Sequence, residues 1–198
     1  EVFDSTLQAI FSQSGGDWVE ESVAELVKNR ILEKPFDGNH GEVHPKKSDY
    51  VTAGVPFIMA CDLKNGRVDM KSCKFLPKKI AGSLRVGFAK DGDVLISHKG
   101  TIGRSAILCT NDDYIMLTPQ VTSYRILDSG RLFNRFLYYC FLSPTFQRMM
   151  ILGAADGSTR AYIGITKQLN LAIRFPGISE QRIIAKSLDS LVQETQKL

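Results

Sequence analysis

The sequence lacks the motifs by which most nucleotide-dependent enzymes announce themselves. Neither G-x-x-x-x-G-K-[ST] nor G-x-G-x-x-G occurs in its 198 residues, so neither common backbone cradle for a nucleotide phosphate is present. No G-x-S-x-G elbow presents a nucleophilic serine. No Asp/Asn-Pro-Pro-aromatic motif of an amino-methyltransferase is present either. These absences argue against an enzyme acting alone. Cysteine is sparse: four residues, no C-x-x-C, and three of the four in apolar stretches, the pattern of free thiols in a reducing compartment rather than of a zinc site. His40 and His44 have a metal-like spacing, but Gly41 and Pro45 make their segment a loop, and no bound metal is expected. No apolar run approaches the roughly 20 residues that span a bilayer, and no signal-like segment opens the chain, so a cytoplasmic protein without a membrane partner is expected.

Charge of one sign is also missing locally. Residues 1–27 carry six acids and no base, a charge of −6. Residues 28–104 carry fifteen bases against eight acids, or +7, and residues 105–198 carry ten against seven, or +3. A basic middle within a net charge of +4 points to a polyanionic partner. With 43% apolar and 23% charged residues, the composition is that of an ordinary globular domain.

Phe3, Leu7, Ile10 and Phe11 share one helical face, closed by Gly15-Gly16. Ser22-x-x-Glu25 reads as a capping box opening a second helix that runs through Val23, Leu26, Val27 and Ile31. From Val55 to Cys109, short apolar runs alternate with turns such as Lys64-Asn65-Gly66 and predict strands. In "GDVLISHKGTIGRSAIL" (92–108), two strands flank a turn in which His98, Lys99 and Arg104 sit among Gly100 and Gly103, a candidate phosphate contact. "YIMLTPQVTSYRIL" (114–127) is the longest strand-like stretch, and Pro119 predicts an edge or a bulge within it. The aromatics from Phe133 to Phe146 lie at helical spacing and are expected in the core. "LNLAIRFP" predicts a last strand ending at Pro176. Ser179 then caps a helix in which Ile184, Leu188, Leu191, Thr195 and Leu198 follow the 4-3-4-3 spacing of a coiled coil.

Taken together, "GVPFIMACDLKNGRVD", "GDVLISHKGTIGRSAIL", "LTPQVTSYR" and "GSTRAYIGITKQLNLAIRFPGISEQRIIAKSLDSL" resemble, in order, the specificity subunit of type I restriction-modification systems. Gly177 stands where that family usually has proline. The resemblance covers nearly the whole chain. It implies an α+β fold: a globular target recognition domain with a twisted mixed/antiparallel β-sheet and peripheral helices, followed by a C-terminal coiled-coil-type helix. The expected division is 1–16 as the end of a preceding helix or an N-terminal helix, 17–177 as the recognition domain beginning near Trp18, and 178–198 as the conserved spacer and dimerisation helix, whole or truncated. The chain has one recognition domain where the family has two. It is therefore expected to be a half-subunit, a fragment of a longer subunit, or the recognition part of a fused restriction-methylation enzyme. An unrelated nucleic-acid-binding module, one for RNA included, and a small enzyme remain the alternatives.

The resemblance implies duplex DNA as ligand. It implies methyltransferase subunits and a restriction/translocase subunit as partners, carrying S-adenosylmethionine, ATP and Mg, with no cofactor and no catalytic residue on this chain. A second half-subunit, or a second copy, is expected to join through Ile184, Leu188, Leu191 and Leu198 of the last helix. Within that reading, Lys46, Lys47, Lys99 and Lys167 suit phosphates. Arg104, Arg125 and Arg160 suit guanine, Asn39 and Gln120 suit adenine, and Thr101, Ser158, Thr159 and Tyr162 suit either role. The glycines flanking Thr101 are expected to let backbone N–H groups approach a phosphate.

Overall fold

The computed structural model describes residues 2–12, 16–40, 44–154 and 161–195. Helix α1 (Val2–Ser12) buries Leu7 and Phe11, two of the four residues on the expected face. Strand β1 (Val19–Ser22) leads into α2 (Val23–Lys28), and Ser22 and Glu25 form the expected reciprocal capping box. This helix stops before Ile31. Arg30 takes a left-handed φ of 57°, with Arg30 N–H bonded to Val27 O and Ile31 N–H to Leu26 O. That pair of bonds is a Schellman closure, built here without glycine. Ile31 is buried all the same.

The middle of the chain is strand-rich, as its turn spacing predicts. The strands are β2 (Phe36–Asp37), β3 (Val55–Ile58), β4 (Leu63–Lys64), β5 (Gly66–Val68), β6 (Lys74–Leu76), β7 (Phe88–Ala89), β8 (Val94–Ser97), β9 (Ser105–Ile107), β10 (Ile115–Leu117) and β11 (Val121–Tyr124). A short helix α3 (Lys78–Ser83) lies between β6 and β7. Two of the sheets have orders β6-β3-β10-β7 and β2-β11-β8-β9-β5-β4. They are antiparallel except at β3/β10 and β5/β9.

Period-two alternation explains how these layers stack. Leu95 on β8 and Val121 on β11 face Ile115 and Leu117 of the four-stranded sheet, whereas Val94 and Ile96 face a helical layer. On β10, Met116 turns the other way, toward Val55, Phe57, Leu76 and Ala81 of α3. Both sheets are thus covered on both faces, which is why their strands are short continuous apolar runs.

Pro119 marks neither an edge nor a bulge. It sits at a corner where the chain leaves one sheet for the other, and β10 and β11 are both interior strands. Val121 N–H bonds to Thr118 O across this corner, and proline has no N–H that would go unpaired there.

The helical layer comprises α4 (Asn134–Leu142), α5 (Pro144–Ala154), α1 and the C-terminal helix. It buries Phe136, Tyr139, Phe141 and Phe146 as core. After a short α6 (Ile165–Gln168), strand β12 (Ala172–Phe175) pairs antiparallel with β1. Helix α7 (Ile178–Thr195) begins one residue before Ser179, so that serine is not its cap. Gly177 O takes the first-turn bond from Gln181 N–H instead.

Three residues of the 4-3-4-3 stripe of α7 pack within the chain, and Thr195 is exposed. Leu188 is 0% exposed in the core that also holds Leu7, Phe11 and Phe136, and Ile184 and Leu191 pack at its margin. Asp189 accepts from Arg135 Nε (2.6 Å) and Tyr139 OH (2.5 Å), and Glu180 from Trp18 Nε1 (3.0 Å), fastening α7 at its first turn and past its middle. Leu198 lies outside the described residues. Of the four cysteines, Cys73 and Cys140 are buried, and Cys61 and Cys109 are exposed. Among the described residues, no helix is long and apolar enough to cross a membrane.

Candidate nucleic-acid interface

Sheet register gathers several distant segments at one end of the molecule. Val121 pairs with Ser97, so the Thr118-Pro119-Gln120 corner adjoins the β8–β9 turn. Asp37 pairs with Thr122, which places Asn39 and His40 there too. Because β3 runs parallel to β10, Met59 emerges beside Thr118. Lys99 forms an isolated bridge with Tyr162, bringing in residues 161–164.

A cavity of about 290 Å³ opens at this end, lined by His44, Tyr50, Met59, Lys99, Pro119 and Gln120 over a floor of Phe57 and Thr118. Lys46 and Lys47, both exposed, lie in the chain between its lining residues His44 and Tyr50. Lys99 and Tyr162 are exposed, with the ammonium 5.7 Å from the ring centre. Thr101 is exposed in the same turn. Arg104 is exposed where β9 begins, and its guanidinium makes no ion pair among the described residues. Lys167 is on α6, its ammonium 3.3 Å from Gly153 O.

Other expected contacts are placed differently. His98 is not a surface cation: it is 0% exposed, and burial lowers its pKa to about 4, against the opposing pull of Asp37. Its Nδ1 lies 2.8 Å from Thr122 Oγ1, which also accepts from Gln168 Nε2. Its Nε2 is 3.4 Å from Asp37 Oδ2 but makes no aligned hydrogen bond among the described residues. Gln168 also donates to Ile163 O and accepts from Tyr124 OH. This buried polar chain, with His98 O accepting from Ile163 N–H, stitches the 161–164 segment onto the β8–β9 turn.

The flanking glycines likewise serve the fold. Gly100 N–H bonds to Ala161 O and Gly103 N–H to Ser97 O, so neither is free for a phosphate. A Cβ on Gly103 would strike the Gln147 amide that bonds Gly103 O. Asn39 is buried, with Nδ2 3.4 Å from His40 O.

Arg125 is at the opposite end of β11 and is consumed by the fold. Nε and Nη2 grip both oxygens of Asp93 at 2.9 Å, Nη1 reaches Glu33 (2.8 Å), and Nη2 also reaches Phe88 O. Ser158, Thr159 and Arg160 lie outside the described residues. His44 stood out in the sequence only for its spacing from His40, and Tyr50 and Met59 carry no local signal: the β3/β10 pairing sets Met59 beside Thr118, and the cavity brings His44 and Tyr50 to the same wall. Among the described residues, no three His, Cys, Asp or Glu side chains cluster as metal ligands.

Comparisons with known proteins agree with this architecture. The chain is 23% identical over 177 residues to the type I restriction enzyme EcoBI specificity subunit of Escherichia coli, covering 87% of this chain and 35% of that protein. It is 25% identical over 159 residues to the MjaVIII specificity subunit of Methanocaldococcus jannaschii, covering 77% and 37%. The chain thus spans little more than a third of these relatives' length. Among solved structures, it resembles a chain from work on assembly and conformational transition of the type I R-M system, with TM-score 0.71 and 21% identity. That likeness covers 99% of this chain and 44% of the other. The HsdS subunit from Thermoanaerobacter tengcongensis has the same fold, with TM-score 0.66 and 21% identity over 98% of this chain and 43% of that subunit. The family described as the type I restriction modification DNA specificity domain matches residues 31–198, and the chain belongs to it.

Proposed function

We propose that this chain is the recognition half of a type I specificity subunit. It reads one half of a bipartite duplex DNA target and itself performs no chemistry. The observation that carries this reading is the convergence at one end of both sheets of Lys46, Lys47, Lys99, Thr101, Arg104, Gln120 and Tyr162, in a chain of that family. Lysines there hold phosphates and register, and forked or amide side chains read base edges. Methyltransferase subunits supply S-adenosylmethionine and the methyl transfer. A restriction/translocase subunit supplies ATP- and Mg-dependent cleavage, and this chain sets where both act. A second half joins through α7, whose outward face leaves Ile183 66% exposed.

The test is selection of duplexes from a randomised pool by the pure chain, with structured RNA as competitor. The enriched duplex is then incubated with the chain, S-adenosylmethionine and magnesium, with and without a methyltransferase subunit. Enrichment of a short motif, and methylation only with the added subunit, is expected. Preference for RNA, or cleavage or methylation by the chain alone, contradicts the proposal.

A further inference from the structure

Within the end that gathers these loops, one side chain has its recognition chemistry intact and its backbone already fixed. Gln120 follows Pro119, whose ring holds φ near −65°. Gln120 O accepts His98 N–H at 2.9 Å, and the corner is closed by Val121 N–H on Thr118 O. The Gln120 side chain is exposed, lines the 290 Å³ cavity, and its amide has no partner among the described residues. Asn39, the other amide at this end, is buried and engaged. A free carboxamide offers one donor and one acceptor side by side. In the major groove, adenine presents the complementary pair, an N6 donor and an N7 acceptor, to a bidentate amide. The cavity wall next to Gln120 supplies an apolar surface from Tyr50, Met59 and Pro119, which suits the 5-methyl group of the thymine paired with that adenine. Lys99, on the same cavity, supplies the cation that holds the flanking phosphate.

We propose that this corner reads one A·T base pair, the Gln120 amide gripping adenine N6 and N7 and the Tyr50, Met59 and Pro119 surface receiving the thymine methyl. The inference rests on the duplex-reading function proposed above. It adds which base pair this cavity selects and which atoms of the pair decide it. Little ordering is lost on binding, because the backbone at Gln120 is held before the DNA arrives.

The experiment uses the whole chain and the duplex enriched by selection. Each adenine is replaced in turn by 7-deaza-adenine and each thymine by uracil, and affinities are measured by fluorescence anisotropy. At one A·T pair, 7-deaza-adenine is expected to weaken binding by wild type within the range of about 5- to 150-fold set by a good bidentate contact. Uracil at the same pair weakens it by a smaller factor. Q120A abolishes the response to 7-deaza-adenine while keeping the response to uracil, and Q120E moves the preferred base at that position toward cytosine, whose N4 donates to a carboxylate. Thermal melting of both variants within a degree or two of wild type excludes misfolding, and the exposure of Gln120 makes this the expected result. An enriched motif whose A·T positions all respond identically in wild type and Q120A overturns this inference alone. Failure to enrich any duplex overturns the duplex-reading function and this inference with it.

Discussion

Replacing Arg125 by Met tests whether a basic residue from the recognition list is a reader or a structural tie. The guanidinium is 22% exposed and the Asp93 side chain 2%. Removing the arginine leaves a buried carboxylate without its countercharge, a change that costs about 3–5 kcal/mol. Asp93 retains Ser123 Oγ at 2.9 Å and Lys90 N–H at 2.9 Å, which places the expected loss near the lower end, about 3 kcal/mol. The Glu33 arm adds less than about 1 kcal/mol, because that carboxylate is 42% exposed. For a chain of this size the melting temperature falls by about 6–12 °C. Urea unfolding at pH 7 measures the loss directly. A second variant, R125M/D93N, isolates the cause: with the stranded charge gone, part of the stability returns. DNA selectivity measured at low temperature, where R125M is still folded, stays that of wild type. A stability loss below about 1 kcal/mol, combined with relaxed discrimination at one base pair, would refute this reasoning and restore Arg125 as a reader.

Other consequences are checked by the same methods. His98 is held at a pKa of about 4 against 6.5 in the unfolded chain, so below pH 6.5 the unfolded state takes up a proton that the folded state refuses. Its stabilising contribution is whole above pH 6.5 and is lost as pH falls toward 4. The loss by pH 5 is about 2 kcal/mol, and it should be absent from the pH profile of H98N measured by urea unfolding. K46A/K47A should weaken binding to every duplex alike and reduce the slope of log affinity against log salt by up to about 2, measured by anisotropy across a potassium chloride series. G103A places a side chain at φ 88° and into the Gln147 amide, and should cost about 2 kcal/mol in the same unfolding assay.

Local signals in the sequence carried much of the fold. The Ser22–Glu25 box, the amphipathic face of α1 and the two strands flanking the β8–β9 turn all depend on neighbours in the chain, and all three are present. What failed was non-local. Pro119 was legible as an interruption, but not as a corner between two sheets, because that depends on which strands β10 and β11 pair with. His98 read as a surface cation because nothing in "SHKGT" reveals that Thr122 and Gln168 close over it. Arg125 read as a free cation because its partners are Asp93 and Glu33, 32 and 92 residues away. The apolar stripe of α7 is visible in the sequence, yet the spacing alone does not say whether another chain or α1 and α4 will cover it. At the site, the basic loops were legible from composition. The cavity was not, since its walls come from three separate segments.

If this chain reads DNA as proposed, the end holding Gln120 and Lys99 faces the duplex. Photo-crosslinking tests it most directly, with single probes at Lys99 and Gln120 and, at the other end of β8 and β11, at Asp91 and Ser129, all exposed positions. With the enriched duplex, crosslinks are expected from positions 99 and 120 to bases or backbone within the motif, and none above background from 91 and 129. Crosslinks from 91 and 129 with none from 99 and 120 would contradict it.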